Sequence, residues 1–253
     1  MPKLLSALAI VASALALGGC EELNPVGTTD TGSLTLAFRG TVGNEELRLE
    51  REAYEATGVE GFVVTRLSFF LSDVQLVRQI EGQSLKTLVD EVAYVELDDE
   101  GRAEVSFDGV PVGDYTGLEF TVGLNAEQDA TTPAEYSAAH PLARDDEYWE
   151  DWGSYIFLKV EGKSDTLADD IERYDAPIVY HVGRSGEHAT TLLLPTSVPL
   201  QSDGGATVQL EIDLGELLGV KTPEQLRLDG GIDHGNAAAE TLMNHVPQAI
   251  TTR

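Results

Sequence analysis

The stretch DDEYWEDWGSYIFLKVEG, residues 145–162, holds both tryptophans of the chain, Trp149 and Trp152. They stand three positions apart, beside five acids and two tyrosines, and the stretch then turns abruptly into an alternating apolar run. A core tryptophan normally sits among aliphatics, so indoles among carboxylates are either a packed corner or a site. The other side chains fit for chemistry are five histidines: His140, His181, His188, His234 and His245. None stands in an HxH, HxxH or HExxH spacing, so local sequence carries no metal signature. His181 lies in APIVYHVG, where Ile178, Tyr180 and Val182 share one face of a strand and His181 points to the other with Val179 and Gly183. A lone strand histidine of this kind is more often a satisfied structural residue than a ligand. His234 sits in the Gly-rich turn DGGIDHGN, where it could reach a metal. His140, before Pro141 in a long loop, and His188, in a hairpin-like turn, are expected in solvent. His245 has no motif around it. P-loop, GxGxxG and GxSxG patterns are absent, and the abundant carboxylates prove nothing in pairs. The expectation is a binding protein and not an enzyme.

The elements that must position these residues are strands. Leu34, Leu36 and Phe38 alternate with Thr35, Ala37 and Arg39; Leu67, Phe69 and Leu71 follow suit, and Val74 and Leu76 resume the pattern after Asp73. Ala103 to Phe107, Leu118 to Leu124 and Val208 to Leu214 repeat it. Strands with one wet face predict antiparallel sheets. Turn signals separate them at 98–101, 108–114, 161–165 and 201–205. The fold expected is all-β: a two-sheet antiparallel β-sandwich with long loops and a few short helices. Thr222-Pro223-Glu224 reads as a helix start, and 236–244 as a short helix that Pro247 disturbs. Segment 125–154 has no clean period, and a loop of that length is usually functional.

The N-terminus reads as targeting. Lys3 precedes an apolar stretch, Leu4 to Leu17, too short to span a membrane. It ends in LGGC, which resembles a bacterial lipobox and makes Cys20, the only cysteine, a lipidation site. Residues 1–19 are then signal peptide, 20–32 lipidated cysteine and tether, and 33–253 the folded domain. Glu21 after the cysteine resembles the default sorting signal to the outer membrane, facing periplasm or cell surface. The formal net charge of −28 argues against nucleic acid and anionic headgroups as partners.

Four segments taken together are familiar: FVVTRLSFFLSDVQLV (62–77), GVPVGDYTGLEFTVGLN (109–125), YWEDWGSYIFLKVEG (148–162) and YHVG (180–183). In this order they resemble the MbnP-like copper-binding domain family of bacterial periplasmic and surface proteins. The resemblance implies a tryptophan oxidised to kynurenine, a di-haem peroxidase as partner, and copper held by the modified side chain and histidines. Carried onto this chain, it points to Trp149 or Trp152 as the oxidised residue and to His181, Trp149 and His234 as the metal site. Trp149 matches the family's first tryptophan, and of the histidines only His181 matches by motif. Glu147 stands where the family has methionine, Trp152 comes three residues after Trp149 instead of two, and Gly153-Ser154 is reversed. SLTLAFRGTV (33–42) has no early histidine pair. Two other readings use the same residues: a surface adhesion or assembly module without metal, and a redox partner whose tryptophans are oxidised with no metal bound.

Overall fold

The computed structural model describes residues 30–169, 171, 173–183, 188–202, 204–233 and 236–253. Cys20, the signal segment and His234 lie outside them. In chain order the strands are β1 (Thr31–Val42), β2 (Glu45–Glu46), β3 (Gly61–Ile80), β4 (Gln83–Glu96), β5 (Arg102–Pro111), β6 (Gly113–Val122), β7 (Tyr148–Trp149), β8 (Ser154–Asp165), β9 (Ala176–Gly183), β10 (Thr190–Leu200), β11 (Gly205–Asp213), β12 (Ile232–Asp233) and β13 (Ile250–Thr252). Short helices α1 (Ala126–Asp129) and α2 (Leu214–Leu217) and the longer α3 (Asn236–Ala249) complete the chain. A five-stranded sheet runs β13-β11-β1-β2 with β5 also on β1, and an eight-stranded sheet runs β10-β6-β3-β8-β9-β12 with β4 on β3 and β7 on β8. This is the expected sandwich. The alternating residues face inward as their period requires: Leu34, Leu36, Phe38, Leu118, Phe120, Val122, Val208, Leu210 and Ile212 are all buried in one core.

Two pairings are parallel, β1 with β11 and β9 with β12. A period of two fixes which face is apolar but not strand direction, so the pattern could not foretell them. β1 also starts at Thr31, two residues before the expected start of the domain, because Thr31 and Gly32 already pair with Pro111 and Val110.

Several local expectations are corrected. Residues 161–165 are not a turn but the end of β8. Gly162 is there for close approach: a Cβ would lie 2.4 Å from the Val63 carbonyl oxygen. Asp73 interrupts the β3 alternation as a bulge, with φ 51 and a register shift between Ser72 and Gln75, one extra residue in an otherwise continuous strand. Thr222 starts no helix; its hydroxyl accepts from the Glu224 N–H at 3.2 Å and closes a single turn. Pro247 does not end α3, which runs to Ala249. The helical bond that proline cannot donate is the one to the Met243 carbonyl, and the Thr190 hydroxyl donates to that oxygen instead at 3.1 Å.

Candidate functional site

Where a sheet carries a second layer, its strands must be apolar on both faces. LSFFL and SYIFLKV are such runs. Segment 125–154 lies over the outer face of the eight-stranded sheet and builds a second, smaller core of Phe70, Val92, Leu124, Leu142, Tyr155 and Phe157. Its start is α1, capped by Asn125, whose side chain accepts from Glu127 N and Gln128 N. The buried Asp129 then accepts from Ser154 Oγ at 3.0 Å and Tyr155 N at 2.9 Å, fastening the loop to the start of β8. Tyr155 is fully buried and donates to the Leu142 carbonyl at 2.7 Å. Burial pushes its phenol up to about 12. A raised pKa favours the folded protein below the unfolded value and loses that advantage as pH rises through the folded one. Urea midpoints should therefore fall between the ordinary tyrosine value of 10.0 and about 12, and Tyr155→Phe should flatten the fall. Parallel alkaline profiles for the two proteins would count against this role.

Ladder partners share a face, so register lays out the floor of the site. Glu96, Ser68, Lys159 and His181 form one row across β4, β3, β8 and β9; Arg66 and Glu161 stand in the next. Glu147 descends onto this floor from the loop and is fully buried. Its Oε1 accepts from Tyr94 Oη at 2.5 Å and Arg66 Nη2 at 2.7 Å, and Lys159 Nζ lies 2.8 Å from its Oε2. Lys159 also donates to the Asp146 carbonyl at 2.9 Å. Burial, and then the bond to Glu147, push the Tyr94 phenol well up. Burial works against the Asp146 charge, yet the hydrogen bond from Arg66 and its charge prevail and hold that carboxyl below the usual range. Arg144 stacks over Tyr94 at 3.9 Å. One acid thus ties the loop to three strands.

Two residues past Glu147, the β7–β8 turn presents the indoles. The Trp149 carbonyl accepts from Trp152 N at 3.0 Å and from Gly153 N at 2.9 Å. Gly153 has φ 60, a left-handed conformation that glycine takes at no steric cost. The two ends of a β-turn lie side by side, so Trp149 and Trp152 stack at 4.5 Å and 15°. Trp152 also covers Gly183, where a Cβ would come within 3.0 Å of its ring. Trp149 meets His181 edge to face at 6.1 Å. Residues 32 positions apart are thereby neighbours, and both indoles are half-buried. His181 stands on the outer face as its strand phase demands, 13% exposed, with Nε2 at 2.8 Å from Glu161 Oε1. This hydrogen bond, against some desolvation, holds the Glu161 carboxyl below its usual range. In the neutral tautomer that donates Nε2–H to Glu161, the ring lone pair lies on Nδ1.

The other described histidines make their own contacts. His140 stacks on Tyr136 at 4.1 Å and accepts from Leu142 N, and His245 Nδ1 lies 3.0 Å from the Leu217 carbonyl. His188 is buried, 6% exposed, not solvated; the apolar strand that follows draws it inward. Among the described residues no group of three or more His, Cys, Asp or Glu is placed to hold a metal ion. The set at the indoles is one imidazole and one carboxylate, suited to copper in kind, and an unmodified indole adds no good ligand. Sequence reasoning missed Glu147, Lys159, Tyr94 and Glu161. The signal was a lysine inside an otherwise apolar strand, which must bring a buried partner.

The MbnP family model matches residues 31–240. The solved structure of MbnP from Methylosinus trichosporium is similar with a TM-score of 0.52 at 13% identity, covering 82% of each chain. At that identity the likeness concerns the fold. Among curated proteins none matches.

Proposed function

We propose that this chain, which belongs to the MbnP family, is a copper-binding protein tethered to a bacterial outer membrane by a lipid on Cys20. The observation that carries the reading is the meeting of Trp149 with His181 at 6.1 Å, beside Glu161 in the position of a carboxylate that orients a ligating imidazole. His181, through Nδ1, and an oxidised Trp149 would hold the ion; His234 is the candidate for a further ligand. Kynurenine would supply the aniline nitrogen and ketone that indole lacks, and copper, once bound, would supply redox chemistry. The protein's own part is to hold: Glu161 fixes the ring, Trp152 and Gly183 support Trp149 from below, and Glu147 fastens the turn. It acts as a binder, not an enzyme. A di-haem peroxidase is the partner class that would carry out the oxidation, reaching the half-buried indole pair from solvent.

Titration with copper should quench tryptophan fluorescence and raise the melting temperature as binding to the native state requires. His181→Ala should abolish the stabilisation, while Trp149→Phe should reduce the quenching. Intact mass of protein from its host should report a modified tryptophan. A melting temperature indifferent to copper, with unmodified mass, would leave a surface module of this fold without metal. The anchor has its own test. Wild type should partition into the detergent phase and Cys20→Ser into the aqueous phase; a wild type that stays aqueous carries no lipid.

A further inference from the structure

The β3–β4 hairpin outruns the sandwich. β6 accompanies β3 only as far as Val77, whereas β3 and β4 pair on to Ile80 and Gln83. Glu81 and Gly82 close the tip with φ 52 and 78, the left-handed pair of a type I′ turn, whose twist matches the strands it joins. Leu85 faces Arg78 across the ladder, which places it diagonally beside Ile80 on the same face. That face is the one Leu76 turns to the core, continued past the point where a second sheet could cover it. Ile80 and Leu85 are each 42% exposed. Two large aliphatics side by side on a well-formed polar turn are an apolar tip.

The same end of the molecule carries the start of the domain. Thr31 pairs with Pro111, Val112 N donates to the Asp30 carbonyl at 3.0 Å, and a Cβ on Gly113 would lie 3.6 Å from Arg78 Nη1. The chain therefore leaves the domain beside this hairpin. Residues 21–29 separate Cys20 from Asp30, so a lipid on Cys20 holds this end within about 35 Å of the bilayer even with the tether fully extended. Charge agrees: residues 78–86 carry Arg78 and Lys86 against Glu81, in a chain of net −28. Lys86 is itself paired with Glu119 at 2.6 Å, so the hairpin tip brings no net negative charge to a lipid surface.

We propose that the tip of the β3–β4 hairpin, through Ile80 and Leu85, rests in the interface of a zwitterionic bilayer and fixes the orientation of the tethered domain. The proposal rests on the lipid anchor described above and adds a second, protein-borne contact, since one attachment point alone leaves a domain free to tumble. Ser68, in the floor of the tryptophan site, lies twelve residues back along β3, up to about 40 Å of strand. A domain standing on its hairpin would hold that site away from the lipid.

Lipidated full-length protein carrying Ile80→Cys, Leu85→Cys or, as the control, Ile171→Cys should be labelled with nitrobenzoxadiazole and reconstituted with phosphatidylcholine vesicles; Ile171 is 56% exposed and follows the end of β8, which pairs with the opposite end of β3. The labels at 80 and 85 should shift to the blue and be quenched by spin-labelled lipid, and the label at 171 should do neither. Protein that floats with the vesicles while the labels at 80 and 85 stay in water overturns the hairpin contact and leaves the anchor intact. Protein that does not float removes the anchor, and the hairpin contact falls with it.

Discussion

Glu147→Ala should cost about 3–5 kcal/mol of stability, the usual loss when one member of a buried ion pair is removed. Lys159 is 4% exposed along its side chain and would be left with the Asp146 carbonyl and only the more distant charges of Asp146 and Glu161. Arg66 suffers less, because Glu96 at 3.0 Å and Asp146 at 3.1 Å remain. Tyr94 would lose its acceptor, and with it one of the bonds that tie β4 to the loop. The loss should be visible at the indoles, since Trp149 is two residues on: near-UV circular dichroism from the stacked pair should weaken before the main core melts. Replacing both partners, Glu147→Met with Lys159→Met, should recover most of the loss, because a buried ion pair is often matched by apolar residues of similar volume. Urea denaturation of the two variants beside the wild type checks this. A single-variant loss below about 1 kcal/mol would make the cluster no more than a surface ion pair. The double variant therefore asks whether acid and lysine serve as one unit.

The sheets were legible because burial and period coincide in them. Each run such as Leu118 to Leu124 states its inward face in its own spacing, and pairs of residues far apart need not be known. The exceptions share a cause. Gly162 reads as a turn residue when its neighbours are unseen, yet it is a glycine because Val63 passes too close for a Cβ. Pro247 reads as a helix end, and only Thr190, more than fifty residues away, makes it tolerable. For the site, the strand phase of His181 and the oddity of the tryptophan cluster were visible in the sequence. Their meeting required the long loop to fold back over the sheet, and the acid that brings it there, Glu147, looks like one carboxylate among many until Lys159 is found beneath it. Buried charge is decided by pairing, and pairing is a property of the fold.

The two cores give the last expected result. Phe120 is fully buried in the main core on β6 and Phe157 in the second core on β8. Truncating either to alanine should cost about 3–5 kcal/mol, the transfer of the ring plus the cavity left behind. Their consequences at the site should differ. Phe120→Ala empties space between the sheets, on the far side of β6 from the loop, so the Trp149–Trp152 stack and the copper response should persist in the fraction still folded. Phe157 packs beneath the loop with Tyr155 and Leu142, and the turn bearing both indoles joins β8 three residues before it. Phe157→Ala should therefore loosen the loop as well as destabilise the chain, weakening the near-UV signal and the copper quenching under conditions where the sheets remain intact by far-UV circular dichroism. If Phe120→Ala disturbed the indoles as much as Phe157→Ala does, the loop would be no separate layer and the two cores would melt as one. A loss below about 1 kcal/mol at Phe120 would place that face of β6 outside the core altogether.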